Sequence, residues 1–269
     1  MNYCRQILKY AQQQICLPDI DPKLKRKWED AIVYCDATTK FLLPKNGVVL
    51  DDPDLRALDN NLELRLPYPN IALEWVHPKD DENRAAHASK RVLFALEIGV
   101  YIGCYLIVWI DAEKKWSHVG KFSIPRVGYI HRRKDGPTIS IHPKFIEHGL
   151  QRDAFCLLGM LNALQCSNVH TERLPARRPT KNAKTTLPFD EYRILTIDVS
   201  PSAAGDSNGR GGTHRSPREH LRRGHIVRPE GRRPFWRNAT VVNAGRSLGV
   251  VHKDYRVKSS ARHKMETTK

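Results

Sequence analysis

The run from Val92 to Ile110, VLFALEIGVYIGCYLIVWI, constrains the fold more than any other stretch of the chain. So apolar a segment must leave water, either as a membrane span, as a buried helix or as strands covered on both faces. Basic pairs flank it, Lys90-Arg91 and Lys114-Lys115, as they flank many spans. Inside it, however, Glu97 carries a charge, Gly99 and Gly103 weaken a helix, and β-branched and aromatic residues predominate. Two successive buried strands are therefore expected, in a protein with no place in the membrane.

The segments around this run show where it can be covered. Tyr3, Ile7, Ala11 and Ile15 recur at helical spacing, and this first helix must stop before Pro18. A second begins at Asp21-Pro22, a capping residue followed by proline at the first helical position, and carries Trp28, Ile32 and Cys35. From about Leu62 the period becomes extended, through LELRLP, IALEWV, the Val92–Ile110 pair, WSHVGKFSI, VGYIHR and TISIHP. Turns are expected at Asp111 to Lys114 and at Lys134 to Pro137. Residues Phe145 to Gln165 return to a helical stripe of Ile146, Leu150, Leu157, Leu161 and Leu164, suited to one face of a sheet. Asn168 to Pro188 reads as an exposed polar loop, and EYRILTIDVS as a further strand.

This order of elements predicts an α+β fold, with N-terminal helices and a mainly antiparallel sheet over residues 1–199. The small, turn-forming residues at 200–212, SPSAAGDSNGRGG, read as a Gly/Ser-rich linker. Residues 213–257 then form a small basic αβ module of helix, hairpin and strand, followed by a flexible basic tail at 258–269. The 40% apolar and 28% charged content suits a globular chain. Six cysteines without CxxC spacing, and a first decad without the pattern of a secretory leader, predict reduced thiols in the cytoplasm, the host's if the chain is phage-encoded.

Charge is what separates the two parts. From residue 200 onward sixteen Lys and Arg face five Asp and Glu, so +11 of the formal net +16 lies in the last quarter of the chain. A segregated basic surface produces a local field that attracts polyanions. Within it, Ser216-Pro217-Arg218-Glu219 combines a capping serine, an early proline and a glutamate three residues after the cap, the signal for a short helix ending at Gly224. On such a helix Arg218 and Arg222 share a face and, with Arg223, match the geometry of a phosphate clamp. Arg215, Arg228, Arg232 and Arg233 extend the basic surface along a turn at Pro229-Glu230-Gly231 and a hairpin through RRPFWRNATVV. Phe235, Trp236 and Tyr255 offer stacking surfaces for unpaired bases, and for Trp236 core packing is the competing role. Nucleic acid, RNA before DNA, is the expected partner.

Two other readings share these residues. RNA carries its own nucleophile in the 2′-hydroxyl, so a metal-independent ribonuclease would need only a base, an acid and cations. His220 or His225 would move protons, with Lys253 or Tyr255 assisting. A metal site is not expected, because His214, His220 and His225 lie at intervals that match no zinc pattern, and no cofactor motif is present. The run SPREHLRRGHIVR, with WRNATVV and GVVHKDYRV after it, resembles the C-terminal module of a family of proteins carried by tailed bacteriophages and prophages. LRLPYPNIALEW and LPFDEYRILTI are similar to earlier parts of the same proteins. The resemblance implies a phage setting but no particular activity, and adds inhibition of a host defence or regulatory protein as a third reading. The compact basic arrangement is also loosely similar to small metal-independent ribonuclease toxins, at the level of fold alone.

Overall fold

A computed structural model of the chain describes residues 2–49, 63–76, 88–133, 136–139, 150–176, 190–199, 220–222, 225–237, 240–242 and 256–259. It divides into two compact units, one of Met1–Asn162 with Glu172–Ile194, the other of Ala163–Thr171 with Leu195–Lys269.

In the first unit, helices α1 (Tyr3–Ile15) and α2 (Pro22–Ala37) precede strand β1 (Thr39–Leu42). The start of α2 is fixed as its sequence predicts: Asp21 accepts a hydrogen bond from Leu24 N at 2.9 Å, and Pro22 occupies the first position, where no amide proton is needed. Strands β2 (Asn70–Val76), β3 (Ala88–Ile98), β4 (Tyr101–Ile110) and β5 (Lys115–Pro125) form an antiparallel meander. The apolar run is thus the β3–β4 hairpin. Ile98 pairs with Tyr101, leaving a two-residue turn in which Gly99 takes a φ of 58°, accessible to glycine without strain. Asp111 to Lys114 make the next turn, as expected.

The sheet is buried on both faces, which accounts for the lack of polar alternation in β4. On one face Tyr3, Ile7 and Ala11 of α1 and Trp28, Ala31 and Cys35 of α2 pack with Ala72, Val92, Phe94, Tyr105, Ile107 and Trp116. On the other lies helix α3 (Leu150–Leu164), whose Asp153 pairs with Arg91 of β3. Three layers result, helices over sheet over helix. The sheet is mainly antiparallel, as expected, with parallel pairings beyond β2: β1 runs parallel both to β2 and to strand β9 (Tyr192–Val199), which it meets at Arg193. Strands β6 (Ile130–Arg133) and β7 (Gly136–Ile139) form a separate hairpin.

Two expectations for residues outside the meander are corrected. Glu63 to Leu66 of LELRLP form no strand; they are held by Arg126, whose Nε donates to Leu64 O at 3.0 Å, while Leu64 N donates to Arg126 O at 2.7 Å. Val169–Leu174, read as the start of a loop, is strand β8. Its polar composition hid it, since only Val169 of the strand is fully buried.

In the second unit β9 ends, and strand β14 (Arg256–Ser259) runs parallel to its last four residues. The remaining described strands are β10 (His220–Arg222), β11 (His225–Val227), β12 (Phe235–Arg237) and β13 (Thr240–Val242). The linker proposed at 200–212 lies outside the described residues, as does the tail expected at 258–269 except for Lys258 and Ser259, which pair with β9 as part of β14 rather than belonging to a flexible tail.

Candidate nucleic-acid interface

Where it is described, the basic segment contains short antiparallel strand pairs. β11 pairs antiparallel with β12, joining His225 to Arg237, Ile226 to Trp236 and Val227 to Phe235. β10 pairs with β13, joining His220 to Val242, Leu221 to Val241 and Arg222 to Thr240. In each pair a step forward on the first strand is matched by a step back on the second. The described residues thus form two separate two-stranded pairs, β10 with β13 and β11 with β12. The helix expected from Ser216 is corrected where it can be followed: His220–Arg222 is extended, because its backbone pairs with Thr240–Val242. A capping signal is local, and here a pairing about twenty residues distant prevails over it.

Alternation along the arms sorts their side chains. Ile226 and Trp236, paired across the ribbon, are 7% and 4% exposed and form its inner face. Phe235 and Arg237 stand on the opposite face, with the Arg237 guanidinium 5.8 Å from the centre of the Phe235 ring. The inner face is anchored by Asn168, whose Nδ2 donates to Trp236 O at 2.8 Å and whose Oδ1 accepts from Trp236 N at 2.7 Å. One amide side chain thus completes the backbone hydrogen bonding of Trp236 as a neighbouring strand would. Ser167 N adds a bond to Pro234 O at 2.8 Å.

The tip runs from Arg228 to Pro234. Gly231 adopts a φ of 67°, and Arg232 N donates to Pro229 O at 3.4 Å, closing the turn that Pro229-Glu230-Gly231 predicts. Arg232, Arg233 and Arg237 are exposed and Arg228 is half-buried with its Nε unpartnered. Among the described residues none of these four forms an ion pair.

The residues expected to act therefore fall into three groups. Arg228, Arg232 and Arg233 are brought together at the tip. Trp236 lies a few positions away but is buried, so packing, the competing role, is the one it fills. Arg222 lies opposite Thr240; His220 lies opposite Val242 and His225 opposite Arg237, so the register does not set the two histidines against each other. Arg215, Arg218, Arg223, Lys253 and Tyr255 lie outside the described residues, and with them the Arg218 half of the clamp. Arg237 and Asn168 were missed by sequence reasoning. Arg237 was legible in principle, one step along the strand from a tryptophan assigned to the core; Asn168, in a distant polar segment, was not.

The first unit holds its ionisable groups differently. The Glu74 carboxylate, fully buried in β2, accepts from the backbone N–H of Tyr3 at 2.9 Å, of Cys4 at 2.8 Å and from the Tyr192 hydroxyl at 2.8 Å. It caps the N-terminus of α1, yet burial outweighs these donors and raises its pKa. Burial likewise pushes Asp153 up to about 6 against the opposing pull of Arg91. His118, whose Nδ1 contacts the Tyr105 hydroxyl, is pushed down to about 3 by burial and then by Lys27 and Lys121. These groups are knitted into packing and belong to stability.

No family model, curated protein or solved structure matches the chain. The described helices include none long and apolar enough to cross a membrane.

Proposed function

We propose that the chain binds nucleic acid through the β11–β12 hairpin, in the phage or prophage setting that the SPREHLRRGHIVR resemblance implies. The observation that carries this reading is the set of four arginines, Arg228, Arg232, Arg233 and Arg237, gathered on one ribbon without a carboxylate partner among the described residues. Like charges held close repel, and a ligand rich in phosphate relieves that repulsion while releasing its counterions. Segregation of charge toward the C-terminal quarter adds a longer-range attraction to the same end of the chain.

The test is a titration of the full chain against labelled nucleic acid at several salt concentrations. Replacing the four arginines by alanine is expected to weaken binding and to flatten the slope of log K against log salt, since each phosphate contact contributes roughly 0.7 to 0.9. Full affinity and an unchanged slope in the folded quadruple variant would overturn the proposal.

A further inference from the structure

The hairpin also bears on which nucleic acid is bound, and this inference rests on the reading just given. Recognition of single strands relies on exposed aromatic rings on which bases stack. Among the described residues of the hairpin, Trp236 is 4% exposed, and Phe235 is half-buried with Arg237 near its ring. What the ribbon does present is a narrow two-stranded arm whose turn, set by Gly231, carries Arg232 and Arg233 outward. Strands in such an arm lie roughly 4.8 Å apart, so the arm with its side chains fits the B-form major groove, about 12 Å wide, which accepts a two-stranded ribbon. The A-form major groove of duplex RNA is deep and too narrow for this mode of entry.

We propose that the ligand is B-form duplex DNA and that the hairpin enters its major groove. Arg232 and Arg233 at the tip meet base edges, where a guanidinium binds O6 and N7 of guanine through two hydrogen bonds. Arg228 at the start of the tip and Arg237 on β12 meet the flanking phosphates and fix the register of the arm. Asn168 is a positioning residue in this arrangement, because its two bonds to Trp236 hold the arm that carries Arg237.

The test uses the full chain and three labelled probes of one G-rich sequence: a DNA duplex, the corresponding RNA duplex and the single-stranded RNA. The DNA duplex is expected to bind at least about tenfold more tightly than either RNA, and methylation of guanine N7 within the site should block binding. Arg232→Lys/Arg233→Lys keeps both charges, so it should leave the salt slope unchanged while losing about tenfold in affinity and the sensitivity to N7 methylation. Both side chains are exposed, and an unchanged melting temperature will show that the variant is folded. Equal or tighter binding to either RNA, or DNA binding indifferent to N7 methylation, would overturn the groove assignment and leave nucleic-acid binding standing. Failure of all three probes to bind at low salt would overturn both.

Discussion

Arginine pairing differs between the two units: Arg26 and Arg152 of the first are exposed without an ion pair among the described residues, but five others are paired. In the first, Arg5 pairs with Asp190, Arg65 and Arg126 with Glu63, Arg91 with Asp153 and Arg173 with Glu191. In the hairpin of the second, Arg228, Arg232, Arg233 and Arg237 have no carboxylate partner among the described residues. A paired guanidinium is already answered within the fold, whereas a cluster of unanswered ones makes the chain complementary to an anion from outside. Pairing rather than abundance therefore separates these arginines of the first unit from those on which the proposed binding rests.

The largest effect expected from this contrast is at Arg91. Its Nη1 reaches both Asp153 oxygens at 2.8 and 2.7 Å, and Asp153 is 1% exposed. Arg91→Ala would leave that carboxyl buried without its partner, at a cost of about 3–5 kcal/mol. Urea denaturation should show the loss, while Arg232→Ala should stay within about 0.5 kcal/mol of the parent. Comparable losses at the two sites would break the contrast.

A second test uses pH to ask whether the first unit holds its buried groups away from charge. His118 titrates at about 3 in the fold against an ordinary 6.5, so between these values the unfolded chain binds the extra proton. Its contribution is present above pH 6.5 and is lost as pH falls, by up to about 3 kcal/mol at pH 4. Asp153, raised to about 6, acts with the opposite sign, as does Glu74, since protonation favours their folded forms as pH falls. Thermal melts of the parent and His118→Gln, compared at pH 7 and pH 4, cancel the carboxyl contributions. Acidification should harm the parent more than the variant; an unchanged difference would mean that His118 is not held neutral.

Asn168 tests the hairpin's own anchoring. Asn168→Ala removes both bonds to the Trp236 backbone and should destabilise the ribbon by about 1–3 kcal/mol. Amide exchange at Trp236 should quicken while exchange in β3 and β4 does not. Equal quickening in both places would mean that Asn168 supports the whole chain and not this arm.

The parts of this architecture that could be read in sequence are those decided locally. The β3–β4 hairpin followed from one apolar run broken at Gly99, and the start of α2 from Asp21-Pro22, because each signal sits beside its effect. The parallel pairing of β1 with β9 joins Phe41 to Arg193, and no local pattern specifies a partner so distant. The same limit explains the basic segment. Its turn at Pro229-Glu230-Gly231 was legible from turn chemistry, whereas the extended state of His220–Arg222 depends on Thr240–Val242. For the site, composition located the charge, but only the fold distinguished Arg232 and Arg233 at the tip from Trp236 beneath it.

The smallest expected effect is the sharpest form of the comparison, because it sets two exposed arginines side by side. Arg173 is exposed and paired with Glu191, which is half-buried; Arg233 is exposed and unpaired among the described residues. A solvent-exposed ion pair gains little, since water screens it and both long side chains lose freedom in forming it. Arg173→Ala and Arg233→Ala should therefore each change stability by no more than about 0.5 kcal/mol, and denaturation will scarcely tell them apart. Binding will. Arg233→Ala removes one guanine contact at the tip and should lower affinity for duplex DNA several-fold, with weaker sensitivity to N7 methylation. Arg173→Ala should leave both quantities where they were, because that guanidinium already has its counter-charge and lies outside the ribbon. Equal losses of affinity for the two variants would mean that the chain is held by diffuse positive charge, and the distinction between answered and unanswered arginines would then carry no functional weight.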